Sequence, residues 1–143
     1  LSASGYWKVL DARNRYRRAF QAAMDAQQLD AIVSPPYALP ALRHGATYHL
    51  FSAASYSIVY NLLGMPAGTI PATRVRPGEE SDRPDSRDIV VKKARETEDG
   101  SAGLPVGVQV ASRNWRDEVA LAVMQALESH FRTQPDFPVA PPR

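Results

Sequence analysis

Apolar positions along the chain switch repeatedly between helical and extended spacing. Over residues 6–28, Val9, Tyr16, Phe20 and Met24, with Ala12, Ala19 and Ala23, recur along one stripe behind Ser4, whose hydroxyl can cap a first turn. The spacing predicts an amphipathic helix of about six turns. Residues 29–33 form a short apolar run with Ile32 and Val33, ended by Ser34, Pro35 and Pro36, where proline removes the ladder donor; a buried strand is expected. Residues 35–50 show no period and carry Pro35, Pro36, Pro40 and Gly45, so they read as an ordered loop that packs through its apolar side chains.

Further along, residues 52–63 place Ile58, Val59, Leu62 and Leu63 after small residues, with Gly64 as a natural stop. This predicts a second helix, mostly buried. Residues 67–75 are rich in β-branched side chains but broken by Pro71, which predicts a strand bulged or at an edge there. Residues 76–88 are almost entirely charged residues, proline, glycine and serine, and read as a surface insertion. Residues 89–97 stay open between two states: Ile89, Val90 and Val91 favour strand, and the positions from Lys92 favour helix. Residues 103–111 alternate into Val106, Val108 and Val110 as a clear strand. Asn114 is expected to cap a last helix, with Asp117 and Glu118 in its first turn and Ala120, Val123, Met124, Leu127 and Phe131 on one face. From residue 134 the chain is proline-rich. The order predicts an α/β fold, part of a mixed twisted sheet covered by helices on both faces. One unit over residues 1–133, with its insertion at 76–88 and a tail at 134–143, is the simplest division.

Composition narrows the chemistry. The 143 residues are 44% hydrophobic, with 17 basic and 15 acidic side chains, which argues against a wholly disordered chain. No cysteine is present, so disulfides, thiolate zinc sites and a cysteine nucleophile are excluded. No apolar run approaches the ~18 residues of a membrane span, and a soluble, cytoplasmic protein is expected. The chain opens at Leu1 directly into a helical pattern, which suggests a cut from something longer.

Self-contained catalytic motifs are missing. No serine sits in G-x-S-x-G or S-x-x-K, and the glycines form neither dinucleotide nor triphosphate cradles. His44 and His49 lack a placed carboxylate, so no metal site is expected. The pairs Glu79 with Glu80 and Glu96 with Glu98 lie in polar surroundings and read as solvated faces. Arg13, Arg15, Arg17 and Arg18 are interrupted by Asp11 and Asp25 and lack an aromatic ladder, so they read as a solvated or ion-paired helix face, not a nucleic-acid surface.

Two motifs go beyond a generic α/β domain: NLLGMPAGTIP at 61–71 and GLPVGVQ at 103–109. With SYSIVYN at 55–61 before the first, Asn114 and Trp115 after the second, the opening Tyr6 and Trp7, and LDAIVSP at 29–35, the chain resembles the carboxy-terminal part of the amidase signature family. The resemblance is closest to the fatty acid amide hydrolase branch and its bacterial relatives, and runs from Tyr6 to about Phe131. It implies hydrolysis of a carboxamide by a Ser-Ser-Lys triad lying upstream, so no catalytic residue carries over and this chain alone is expected to be inactive. No metal or organic cofactor is implied. What carries over is the wall of an acyl-chain channel, to which Phe51, Ala54 and Ile58 would contribute; Val90 falls where mammalian enzymes have a tryptophan near the channel mouth, a departure that puts the acyl preference in doubt. The partners implied are the remainder of the amidase domain and a small-molecule amide, with homo-oligomerisation a further expectation. Two rivals remain: a tRNA-directed amidotransferase subunit, which would work on aminoacylated tRNA, and a non-catalytic binding module.

Overall fold

The computed structural model describes residues 2–139. The expected start of the unit at Leu1 and the last four residues of the tail, 140–143, lie outside the described residues. Helix α1 covers Ala3–Ala26, strand β1 Ala31–Ser34, helix α2 Ser55–Leu63, strand β2 Ala67–Arg74, helix α3 Ile89–Glu98, strand β3 Pro105–Ser112 and helix α4 Asp117–Phe131. Two short 3₁₀ turns, Ala46–Tyr48 and Phe51–Ala54, break the loop before α2. Among the described residues no helix is long and apolar enough to cross a membrane.

The three strands form an antiparallel sheet in the order β1-β3-β2, which puts the strand with Pro71 at an edge. Its register shifts between Pro71 and Thr73, the bulge that a missing N–H imposes. Side chains alternate across the sheet. Ala111 and Ile32, paired in register, meet Met24 and Phe20 of α1 and Tyr60, Leu63 and Val59 of α2 in the core. Val110 and its partner Gly68 present the opposite face, where α4 packs close enough for Met124 to lie against Gly68. Helices therefore cover both faces of the sheet. Leu63 and Val110 are fully buried, and truncating Leu63 to alanine removes on the order of 2–5 kcal/mol.

Several local expectations change. Ser2, not Ser4, caps α1, accepting from the Gly5 amide at 3.1 Å. Residues 89–97 resolve as helix because Asp88 caps them, its Oδ1 accepting from the amides of Val90 at 2.7 Å and Val91 at 3.4 Å. Asn114 does not cap α4. Its Nδ2 donates instead to the carbonyls of Leu63 at 3.1 Å and Gly64 at 2.5 Å, closing the end of α2, where Gly64 turns left-handed at φ 65°.

The expectation that Glu96 and Glu98 are both solvated fails for Glu98. It is buried, held by the Arg83 guanidinium at 2.7 Å and the Ser81 hydroxyl at 2.5 Å. The insertion at 76–88 thereby anchors itself on the end of α3. The described part of the tail also folds back: Phe137 is buried under the Arg132 guanidinium, 5.4 Å from its ring, and Asp136 pairs with Arg76 at 2.9 Å. At the start of α4, the Arg116 hydrogen bond holds the Glu118 carboxyl below the usual carboxylate range.

Candidate functional site

Helix α2 is less buried than its composition predicts, because one of its sides has no described partner. Leu63 and Tyr60 face the core, whereas Ile58 is 37% and Leu62 47% exposed. Together with Tyr16 of α1, Val59, Phe51, Ser52 and Ser55, they line an open depression of about 560 Å3. That volume falls within the range of small-molecule pockets.

The turn before α2 determines how Phe51 enters. Leu50 is almost wholly buried, its carbonyl accepting from the Tyr37 hydroxyl at 2.8 Å and from the Ala53 amide at 3.0 Å. The Ala53 carbonyl in turn accepts from the Ala38 amide at 3.0 Å. Burial pushes the Tyr37 hydroxyl's pKa up. With Leu50 pinned inward, Phe51 stands outward at 72% exposure.

Of the four residues expected to line an acyl channel, the structure brings Phe51 and Ile58 together in this depression. Ala54, in the same 3₁₀ turn as Phe51, and Val90, in the first turn of α3, are not among its lining residues. Tyr16, Val59 and Leu62 are lining residues that the sequence did not single out. Tyr16 belongs to the apolar stripe of α1, and periodicity alone does not separate a core position from a pocket wall. The surface offers apolar contact and the side chains of two serines, Ser52 and Ser55.

His44 and His49 line a separate polar basin with Arg43, Lys93 and Glu96, where Lys93 and Glu96 pair at 2.6 Å. Among the described residues no three side chains of the metal-binding types come together. In the basic run of α1, Arg15 pairs with Asp11, while Asp25 pairs with Arg113 beside the end of β3.

Comparison with known proteins places these pieces in a family. The chain is 34% identical over 119 residues to fatty acid amide hydrolase 1 of Caenorhabditis elegans, covering 79% of this chain and 20% of that protein. It is 34% identical over 134 residues to fatty-acid amide hydrolase 1 of Sus scrofa, covering 89% of this chain and 22% of that protein. To a glutamyl-tRNA(Gln) amidotransferase subunit of Deinococcus deserti it is 27% identical, covering 95% of this chain and 25% of that protein. The chain thus spans about a fifth to a quarter of the length of the curated relatives it matches. A solved fatty acid amide hydrolase shares its fold, with a TM-score of 0.70 and 21% identity over 90% of this chain and 23% of that one. The amidase family model matches residues 1–121, and the chain belongs to the amidase family.

Proposed function

We propose that the chain is the carboxy-terminal segment of an amide hydrolase whose Ser-Ser-Lys triad lies upstream, and that it supplies part of the wall that binds an acyl chain. In the complete enzyme the serine attacks the amide carbonyl, backbone donors hold the oxyanion, the amine or ammonia leaves, and water releases the acid from the acyl-enzyme. In this reading residues 2–139 contribute sheet, covering helices and apolar contact, and the catalytic groups lie upstream. The observation that carries this reading is the apolar depression lined by Phe51 and Ile58. Transfer of apolar surface from water contributes about 0.8 kcal/mol per methylene, so such a wall selects substrates by chain length. The similarity to an amidotransferase of tRNA favours a second reading, action on aminoacylated tRNA.

Intact mass spectrometry of the natural polypeptide, followed by labelling with a fluorophosphonate, tests the first reading. It expects a mass several times 15.7 kDa and a labelled serine upstream of Leu1. A natural mass of 15.7 kDa would overturn it, as would a longer protein that resists the label. Salt-sensitive tRNA binding with glutamine-dependent amidation would establish the second.

A further inference from the structure

The polar basin beside α3 plays no part in the acyl-binding reading and has a different chemistry. Its two walls are the loop at 43–49 and the second half of α3, around a volume of about 360 Å3. The loop turns sharply there. Gly45 is left-handed at φ 82°, the Ala46 amide donates to the Arg43 carbonyl at 3.1 Å, and the His49 amide donates to the Ala46 carbonyl at 3.3 Å. With Leu50 buried at its end, the turn brings Arg43, His44 and His49 to one basin, and α3 supplies Lys93, Glu96 and Thr97 from the other side.

Four of these side chains are donors. Arg43 ties the two walls together, one guanidinium nitrogen donating to the Asp99 carbonyl just past α3 at 2.9 Å, which leaves the other N–H groups of the fork for a ligand. Neither imidazole has a hydrogen-bond partner among the described residues, so each can give an N–H to the basin. The acceptors, by contrast, are already engaged. Glu96 pairs with Lys93 at 2.6 Å, an ammonium that keeps further donors, and the buried Thr97 hydroxyl donates to the Lys93 carbonyl at 2.9 Å.

We propose that this basin binds a phosphate group, carried by a small phosphate ester or by a lipid headgroup. A guanidinium, an ammonium and two imidazoles offer more donors than the two oxygens of a carboxylate accept. A phosphate monoester presents three terminal oxygens and close to two charges at neutral pH. Arg43 serves as the planar fork for two of those oxygens and Lys93 as a point charge, with His44 and His49 donating at the rim.

The test is titration calorimetry of the natural full-length protein with inorganic phosphate, at neutral pH and constant ionic strength, with thermal unfolding of every variant to check its folding. Phosphate is expected to bind. Arg43→Ala should weaken it by at least about tenfold, and His44→Ala, which breaks no hydrogen bond among the described residues, by about threefold. Lys93→Gln repeats the measurement should Arg43→Ala lose its fold along with the tie to Asp99. Arg18→Ala, an exposed cation of α1 outside the basin, should leave the affinity unchanged. Vesicles of phosphatidylcholine with and without phosphatidic acid identify the source. Binding that requires phosphatidic acid, is displaced by phosphate and is lost in Arg43→Ala assigns a lipid headgroup, whereas phosphate binding without vesicle binding assigns a soluble ester. No binding of phosphate, an affinity unchanged by both Arg43→Ala and His44→Ala, or an equal loss in Arg18→Ala would each overturn the proposal. None of these outcomes bears on the depression at Phe51 and Ile58, which shares no lining residue with the basin.

Discussion

Two glycines show how much the neighbour of a missing side chain decides. A Cβ at Gly107 would lie 2.8 Å from the carbonyl oxygen of Ile70, an atom fixed by the sheet. A Cβ at Gly68 would come as close, 2.6 Å, but to the thioether of Met124, a flexible side chain. Gly107→Ala is therefore expected to cost roughly 1–3 kcal/mol, by forcing β2 and β3 apart, and Gly68→Ala less than about 1 kcal/mol, since the thioether can rotate aside. Urea unfolding of the natural protein carrying each variant checks the ranking, and equal midpoints for the two would refute it.

Elements were legible in the sequence where one signal dominated. The alternation of Val106, Val108 and Val110 marks β3, Gly64 marks the end of α2, and Pro71 marks a bulged edge strand. Where a polar side chain had two available backbones, the sequence pointed to the wrong one. Asn114 lies just before α4, a usual capping position, yet its amide closes α2, fifty residues earlier in the chain. Glu98 looked solvated because its partners, Ser81 and Arg83, reach it from an insertion with no pattern of its own. The start of α4 relies instead on charge: Glu118 in the first turn accepts from Arg116 and faces the positive end of the helix. Its native pKa is lowered, so its contribution is present above the ordinary carboxylate pKa of about 4.3 and is lost as pH falls through the lower native value. Glu118→Gln should lower the thermal midpoint at neutral pH, with the two curves converging in acid below that native pKa. A difference that persisted unchanged into acid would assign the effect to packing rather than charge.

At the scale of the whole molecule, the candidate site was only partly legible because a pocket wall and a core face obey the same helical period. Tyr16 and Phe20 lie on one stripe of α1, yet Phe20 packs against the core while Tyr16 lines the open depression. What separates them is which side of α2 has a partner, a property of assembly and not of local sequence. If the depression holds an acyl chain in the complete enzyme, changing its volume should change chain-length preference without touching the chemistry. Ile58→Trp fills the space, and the kcat/KM for long-chain amides should fall by about fourfold for each methylene displaced to water, at 0.8 kcal/mol apiece. Rates on short-chain amides should stay within about twofold of the parent, since the same transition-state contacts remain. Phe51→Ala enlarges the depression and should weaken binding of long chains with little effect on kcat. A uniform loss across all chain lengths would mean that Phe51 and Ile58 support the fold of the complete enzyme and do not contact its substrate.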